Sequence, residues 1–329
     1  MNAHRIRRAL LLLAATGAAV LALRHLAALG ASWSAALHLI TGLPWQWPLL
    51  LGAVWILGLS AHTWVLTASL PGLTHRRALT LNLAGSAVSN VFPLGGVAGT
   101  ALNFGMVRGW GHSARDFARF TIVSKAWDVA AKLVLPLLAL VALLGLDELE
   151  PTRHTAGWLG LAVLSAAVGA LVVTALLGRA KPLLAVVRFA ERFRRDRTGT
   201  WTASVETLLA DTSRLVRRRW AGLSGGMSAY LVLQGALFWL CLHAVGVHLP
   251  VVVVLTGLVA ERVLTLLAVT PGGSGFVEAG TVALLVALGA AATGVLAGVL
   301  LYRAFVFAAE IPVGGIATAF WALGRRATA

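Results

Sequence analysis

The stretch Pro48-Leu-Leu-Leu-Gly-Ala-Val-Trp-Ile-Leu-Gly-Leu-Ser-Ala-His-Thr-Trp-Val-Leu-Thr-Ala-Ser69 contains no Asp, Glu, Lys or Arg in 22 positions. At about 1.5 Å per residue, a helix of this length crosses a hydrocarbon core of roughly 30 Å. Comparable apolar runs occupy 9–29, 120–144, 157–178, 222–245 and 294–322, with two less regular apolar stretches at 78–106 and 251–291. Of the 329 residues, 59% are hydrophobic and 12% charged, against about a quarter charged in soluble domains. The expected fold is therefore an all-α polytopic membrane protein, a single transmembrane domain over 1–329 with six full spans and two hairpin segments. The single cysteine, Cys241, lies inside an apolar run, which excludes a disulfide framework and any cysteine-rich metal site.

The net charge of +15 would suggest nucleic acid in a soluble chain. Its placement gives another reading. With the N-terminus in the cytoplasm, the inner segments hold Arg5, Arg7, Arg8, Arg76, Arg77, Arg108, Arg115, Arg119, eleven basic residues in the loop 179–220, Arg325 and Arg326. These are 21 of the 27 Lys and Arg, with only Arg24 and Arg153 outside. The bias puts both termini in the cytoplasm and predicts a multi-pass protein of the cell membrane, with no nucleic-acid partner. Met1 to Leu23 also has the shape of a signal peptide, although an uncleaved first helix is preferred. The basic loop carries eleven positive and four negative charges. Either it simply obeys the positive-inside rule, or an amphipathic part of it around Val186–Phe193 gathers anionic lipid.

Eight charges remain inside apolar segments: Lys125, Lys132, Arg262, Arg303, Asp128, Glu261, Glu278 and Glu310. Each costs about 3 kcal/mol or more near the bilayer centre, so each needs a partner or a wet cavity. Lys125, Asp128 and Lys132 share one helical face and can pair among themselves; a functional role for them stays equally open. Arg262, Glu278 and Arg303 come from different segments, which points to a functional cavity.

The irregular stretches are alike. Phe92-Pro-Leu-Gly-Gly-Val-Ala-Gly-Thr100 and Thr270-Pro-Gly-Gly-Ser-Gly-Phe-Val-Glu278 align with Pro93 on Pro271, an offset of 178 that also puts Gly95 on Gly273, Gly111 on Gly289, Lys125 on Arg303 and Lys132 on Glu310. The first stretch begins and ends inside and the second outside, so each reads as a hairpin, re-entrant in form, and the halves 48–144 and 222–322 form an inverted repeat. Broken helices in inverted repeats mark transporters with a midplane site. In the tip that Pro271 opens, the backbone N–H groups of Gly272, Gly273 and Gly275, like those of Gly95 and Gly96 in the first, suit an anion such as phosphate. Alternatively the glycines simply allow close helix packing, for which Gly95/Gly99, Gly105/Gly109 and Gly294/Gly298 have the spacing, and both readings are compatible.

The segments Asn90–Gly99, Glu261-Arg262-Val-Leu-Thr265 and Pro271-Gly-Gly-Ser-Gly-Phe-Val-Glu278 resemble the lysylphosphatidylglycerol synthase transmembrane-region family over roughly residues 10–325. The resemblance implies movement of lipids, such as aminoacylated phosphatidylglycerol or lipid-carried sugars, between leaflets, in a stand-alone member without the synthase domain. Thr100 and Asn103 stand where relatives often carry an acid and an arginine, and Lys125 stands where they tend to have arginine.

Chemistry-bearing patterns are missing: there is no His-Glu-x-x-His, no phosphate loop and no nucleophile elbow. The expectation is a translocator of anionic or aminoacylated phospholipid or of a lipid-linked headgroup, not an enzyme, needing no cofactor or metal. Its substrate-binding set is Arg262, Glu278, Arg303, Pro271, Gly272, Gly273, Gly275, Gly95, Gly96, Lys125 and Asp128, with Glu261, Glu278 and Glu310 as candidate proton sites. The alternative is a non-transporting membrane scaffold for a lipid-modifying or glycosyl-transferring enzyme. Association of copies of the chain into a homo-oligomer is left open.

Overall fold

The computed structural model describes residues 30–92, 95–145, 200–266 and 271–326, with Gly17, Arg24 and 26–28. Among these residues the chain is helix and turn, without a strand. The helices are α1 (Trp33–Thr41), α2 (Gln46–Ser69), α3 (His75–Val91), α4 (Gly95–Gly109), α5 (Ala114–Gly145) and α6 (Thr200–Ala244), then α7 (Val251–Leu266), α8 (Phe276–Ala287), α9 (Ala292–Arg303) and α10 (Glu310–Arg326). A 3₁₀ turn, Pro271–Gly273, lies between α7 and α8, and a π-helical turn, Ala304–Ala308, joins α9 to α10.

Three helical segments are long and apolar enough to cross a membrane: Gln46–Ser69, Glu206–Ala244 and Ala292–Arg325. They coincide with the expected spans 48–69, 222–245 and 294–322. The span 120–144 falls within α5 and is helical throughout. The spans 157–178 and most of 9–29 lie outside the described residues, as do the amphipathic segment 186–193, Pro93 and Leu94.

Two expectations are corrected. The loop 179–220 is not a loop in its second part, because α6 begins at Thr200 and continues unbroken through the span. Residues 200–220 hold no Gly or Pro and include four Arg and three Leu, which favour helix. The last span is not a plain helix: five residues wound as a π turn interrupt it midway.

The chain forms two compact units, one of Met1–Gly58, Thr80–Asn103 and Val232–Ala329, the other of Leu59–Leu79 and Phe104–Leu231. In the first, α7 packs on α8, α8 on α9, and α9 on α1. Its core includes Phe238, Leu258, Val282, Leu285, Leu296 and Tyr302, all 2% exposed or less. The helices α3 and α4 cross closely: a Cβ on Gly99 would meet the Gly85 carbonyl at 2.6 Å, so only glycine allows this approach. Gly314 of α10 similarly abuts the Leu83 carbonyl of α3.

In the second unit Val65, Val123, Val216, Leu223 and Met227 form an apolar core. Helix α5 starts with a reciprocal cap. Ser113 Oγ accepts from the Asp116 amide at 3.0 Å, while Asp116 Oδ2 accepts from the Ser113 amide at 3.1 Å and its hydroxyl at 2.6 Å. These bonds, chiefly the hydroxyl's, with Arg119 nearby, hold the Asp116 carboxyl below the ordinary carboxylate range.

Candidate functional site

The site lies in the first unit, where α7, α8 and α9 bring together charges separated widely in sequence. Glycines at 272, 273 and 275 have φ of +56°, +72° and +83°. That left-handed run breaks the chain between α7 and α8, since other residues enter this region at a cost. At Gly272 there is also no room, because a Cβ would strike the Phe307 ring. The break leaves an open helix start, and Glu278, third residue of α8, folds back so that Oε2 accepts from the Gly275 amide at 2.7 Å. A carboxylate there also complements the positive end of the helix.

Arg303 is 6% exposed and fully engaged. Its Nε donates to Glu278 Oε1 at 2.8 Å, its Nη2 donates to the Gly272 carbonyl at 2.6 Å, and Nη1 lies 3.7 Å from Glu261 Oε1. The guanidinium also stands 4.7 Å above the Phe307 ring centroid. Arg262 Nε lies 3.0 Å from Glu261 Oε2. Its Nη2 donates to Gln234 Oε1 at 3.2 Å and, in a short contact, to Tyr302 Oη. Tyr302 Oη in turn donates to Gln234 Oε1 at 2.8 Å.

The first hairpin reaches the same place. Asn90 Nδ2 donates to the Phe307 carbonyl at 3.4 Å, inside the π turn. Ser89 Oγ donates to the Gly95 carbonyl at 3.2 Å, closing the first tip on itself. Glu310, the first residue of α10, accepts side-chain hydrogen bonds from Ser86 and Asn90. The π turn thus touches the second tip through Gly272 and Arg303, and the end of α3 through Asn90. π turns inside longer helices often mark functional positions.

Of the expected site residues, the structure brings together Arg262, Glu278, Arg303, Gly272 and Gly275 around the turn that holds Pro271 and Gly273. Gly95 sits at the first tip, hard against the Ser89 backbone, while Gly96 has open space around it. Lys125 and Asp128 belong to the second unit. There Asp128 pairs with Lys132 at 3.1 Å, four residues along one helical face, and Lys125 is exposed. Asn103 packs against Gly85. Gln234, Tyr302, Phe307 and Ser86 escape the sequence reading. Gln234 alone leaves a trace, as a lone amide in the apolar run 222–245.

In this arrangement neither arginine stands open to a phosphate. Both are held by carboxylates, and an anion reaches them only by displacing Glu278 or Glu261. Among the described residues no group of three or more His, Cys, Asp or Glu is placed to hold a metal ion.

Residues 9–314 match the family model described as the lysylphosphatidylglycerol synthase TM region. The chain belongs to that family. With its long apolar helices it is a helical membrane protein of a family tied to lipid modification or translocation. No curated protein and no solved structure matches it.

Proposed function

We propose that this family member is a translocator that carries a phospholipid or lipid-linked headgroup between leaflets. The observation that carries the reading is the convergence of the second tip and the end of α3 on the π turn Ala304–Ala308, beside a buried network of opposed charges. Charges this costly are retained where a pathway needs them. A headgroup phosphate exchanges with Glu278 for Arg303, or with Glu261 for Arg262. The released carboxylate then takes a positive partner, so a headgroup bearing both phosphate and ammonium satisfies both sides of the exchange.

The order of elements supports an inverted-repeat transporter with six spans and two hairpins, and the placement of Lys and Arg supports cytoplasmic termini in the cell membrane. The order α2, Gly72, α3, tip, α4, Gly111, α5 is matched by α6, Gly246, α7, tip, α8, Gly289, α9, and all four of these glycines have positive φ. Gly111 and Gly289 are 178 apart, and so are the starts of the helices that follow them, Ala114 and Ala292. Such repeats place the substrate where the broken helices meet.

Covalent capture tests the reading. A phospholipid with a photoreactive headgroup, added to purified protein in liposomes, should label peptides around 86–92 and 272–278, and unlabelled lipid of the same headgroup should compete. Labelling confined to exposed faces such as that of Leu49, Ile56 and Leu57 would contradict it.

A further inference from the structure

The charges of the site do not balance. Three carboxylates, Glu261, Glu278 and Glu310, face two guanidiniums, Arg262 and Arg303. The ion-pair contacts use up two of the acids: Glu261 lies against Arg262, and Glu278 against Arg303. Among the described residues Glu310 makes no ion-pair contact, and its carboxylate is held by the neutral side chains of Ser86 and Asn90. It lies midway along the apolar segment Ala292–Arg325, where a lone ionised carboxylate is costly and needs a positive partner.

We infer that Glu310 is a proton-binding site, loaded and unloaded as the headgroup passes. A proton is the cation that fits. The groups facing the carboxylate are the Ser86 hydroxyl and Asn90 amide of α3, with Arg262 of α7 and Arg303 of α9 further off and Glu278 of α8 behind Arg303. The Phe307 carbonyl next to it is already taken by the Asn90 amide. Donors therefore surround Glu310, and a metal cation would find no cage of oxygens. In the cycle, an O–H bond forms on Glu310 with a proton from water on one side of the membrane. It breaks again to water on the other side, so that a proton gradient supplies the work.

The position gives the proton a mechanical consequence. Asn90 is shared between Glu310 and the Phe307 carbonyl. Neutralising Glu310 weakens the Asn90–carboxylate bond, since bonds to an ionised acceptor are the stronger ones. The end of the first hairpin is thereby loosened from the π turn, on whose other side Arg303 holds Gly272. Loss of one charge at Glu310 thus reaches both the first hairpin and the second tip.

The inference deepens the translocator reading and rests on it for transport alone, so its test has two readouts. The first is infrared spectroscopy of the purified protein in liposomes, titrated from alkaline to acidic buffer. The carbonyl stretch of a protonated carboxyl should grow in the wild type, vanish in Glu310→Gln, and return displaced in Glu310→Asp. Persistence of the full band in Glu310→Gln, or no titrating band in wild type and Glu310→Asp alike, overturns the site. The second readout is headgroup movement under an imposed proton gradient. Wild type should respond to the gradient and Glu310→Gln should lose the response. A wild type that moves headgroups equally with and without the gradient overturns the coupling. If no headgroup moves at all while the band still maps to Glu310, the proton site stands and the translocator reading falls.

Discussion

Asn90 and Phe307, 217 positions apart, are joined by a 3.4 Å hydrogen bond from the amide side chain to a backbone carbonyl. The acceptor lies in a π turn, where wider winding interrupts the regular helical ladder. Two ends of the site therefore meet at one irregular turn: the leading helix of the first hairpin on one side, Gly272 and its arginine on the other.

Asn90→Ala removes that link and one donor to Glu310. A single such bond contributes about 1 kcal/mol to stability, a small shift in thermal unfolding in detergent. Headgroup movement should fall by more than about tenfold, which exceeds what 1 kcal/mol gives at one factor of ten per 1.4 kcal/mol. Equal small losses in both would reduce Asn90 to packing.

Arg303→Ala strands Glu278 without its cation and leaves Glu261 to Arg262 alone, and opening a buried pair this way costs about 3–5 kcal/mol. The variant should unfold well below wild type. The double variant Arg303→Met with Glu278→Gln removes both charges and should recover much of that stability, yet still fail to move headgroups. Thermal unfolding and liposome assays on the same preparations separate the two effects.

Gly272→Ala meets two obstacles, the left-handed backbone, at about 1–2 kcal/mol, and the Phe307 ring. Adding Phe307→Ala removes only the second. The double variant should therefore be less destabilised than the two single costs added together, a negative coupling that a double-mutant cycle measures.

Asp116 predicts an acid response at the start of α5. Its folded pKa lies below the unfolded value, so its capping contribution is present above the ordinary aspartate value of about 3.9 and is lost as pH falls through the lower, folded value. Ser113→Ala removes the largest cause and should move the Asp116 titration upward, toward the ordinary range. Carbon-detected NMR of the carboxyl follows this directly.

Three of the spans were legible because an apolar run of twenty-odd residues has few alternatives in water or lipid; Gln46–Ser69 ends almost where its hydropathy does. The second tip was legible too, since Pro271-Gly-Gly-Ser-Gly combines residues that stop helices. The π turn was not. Ala304-Phe-Val-Phe-Ala308 reads as ordinary helix, and its winding answers to Asn90, Gly272 and Arg303, contacts a local reading does not contain. For the same reason the sequence shows that Arg262 and Arg303 need partners without showing which carboxylate each one takes. Charge identity is local, whereas pairing across α7, α8 and α9 is tertiary.

The most direct measurement is headgroup movement in liposomes holding the purified protein. Phosphatidylglycerol, its lysyl ester and a polyprenyl-phosphate sugar would be followed separately by an impermeant reagent that reports headgroups on one face. Selective movement of one class above empty liposomes, lost in the charge-free Arg303→Met, Glu278→Gln variant, is the predicted result. Wild-type protein that leaves all three headgroups where they started would contradict translocation.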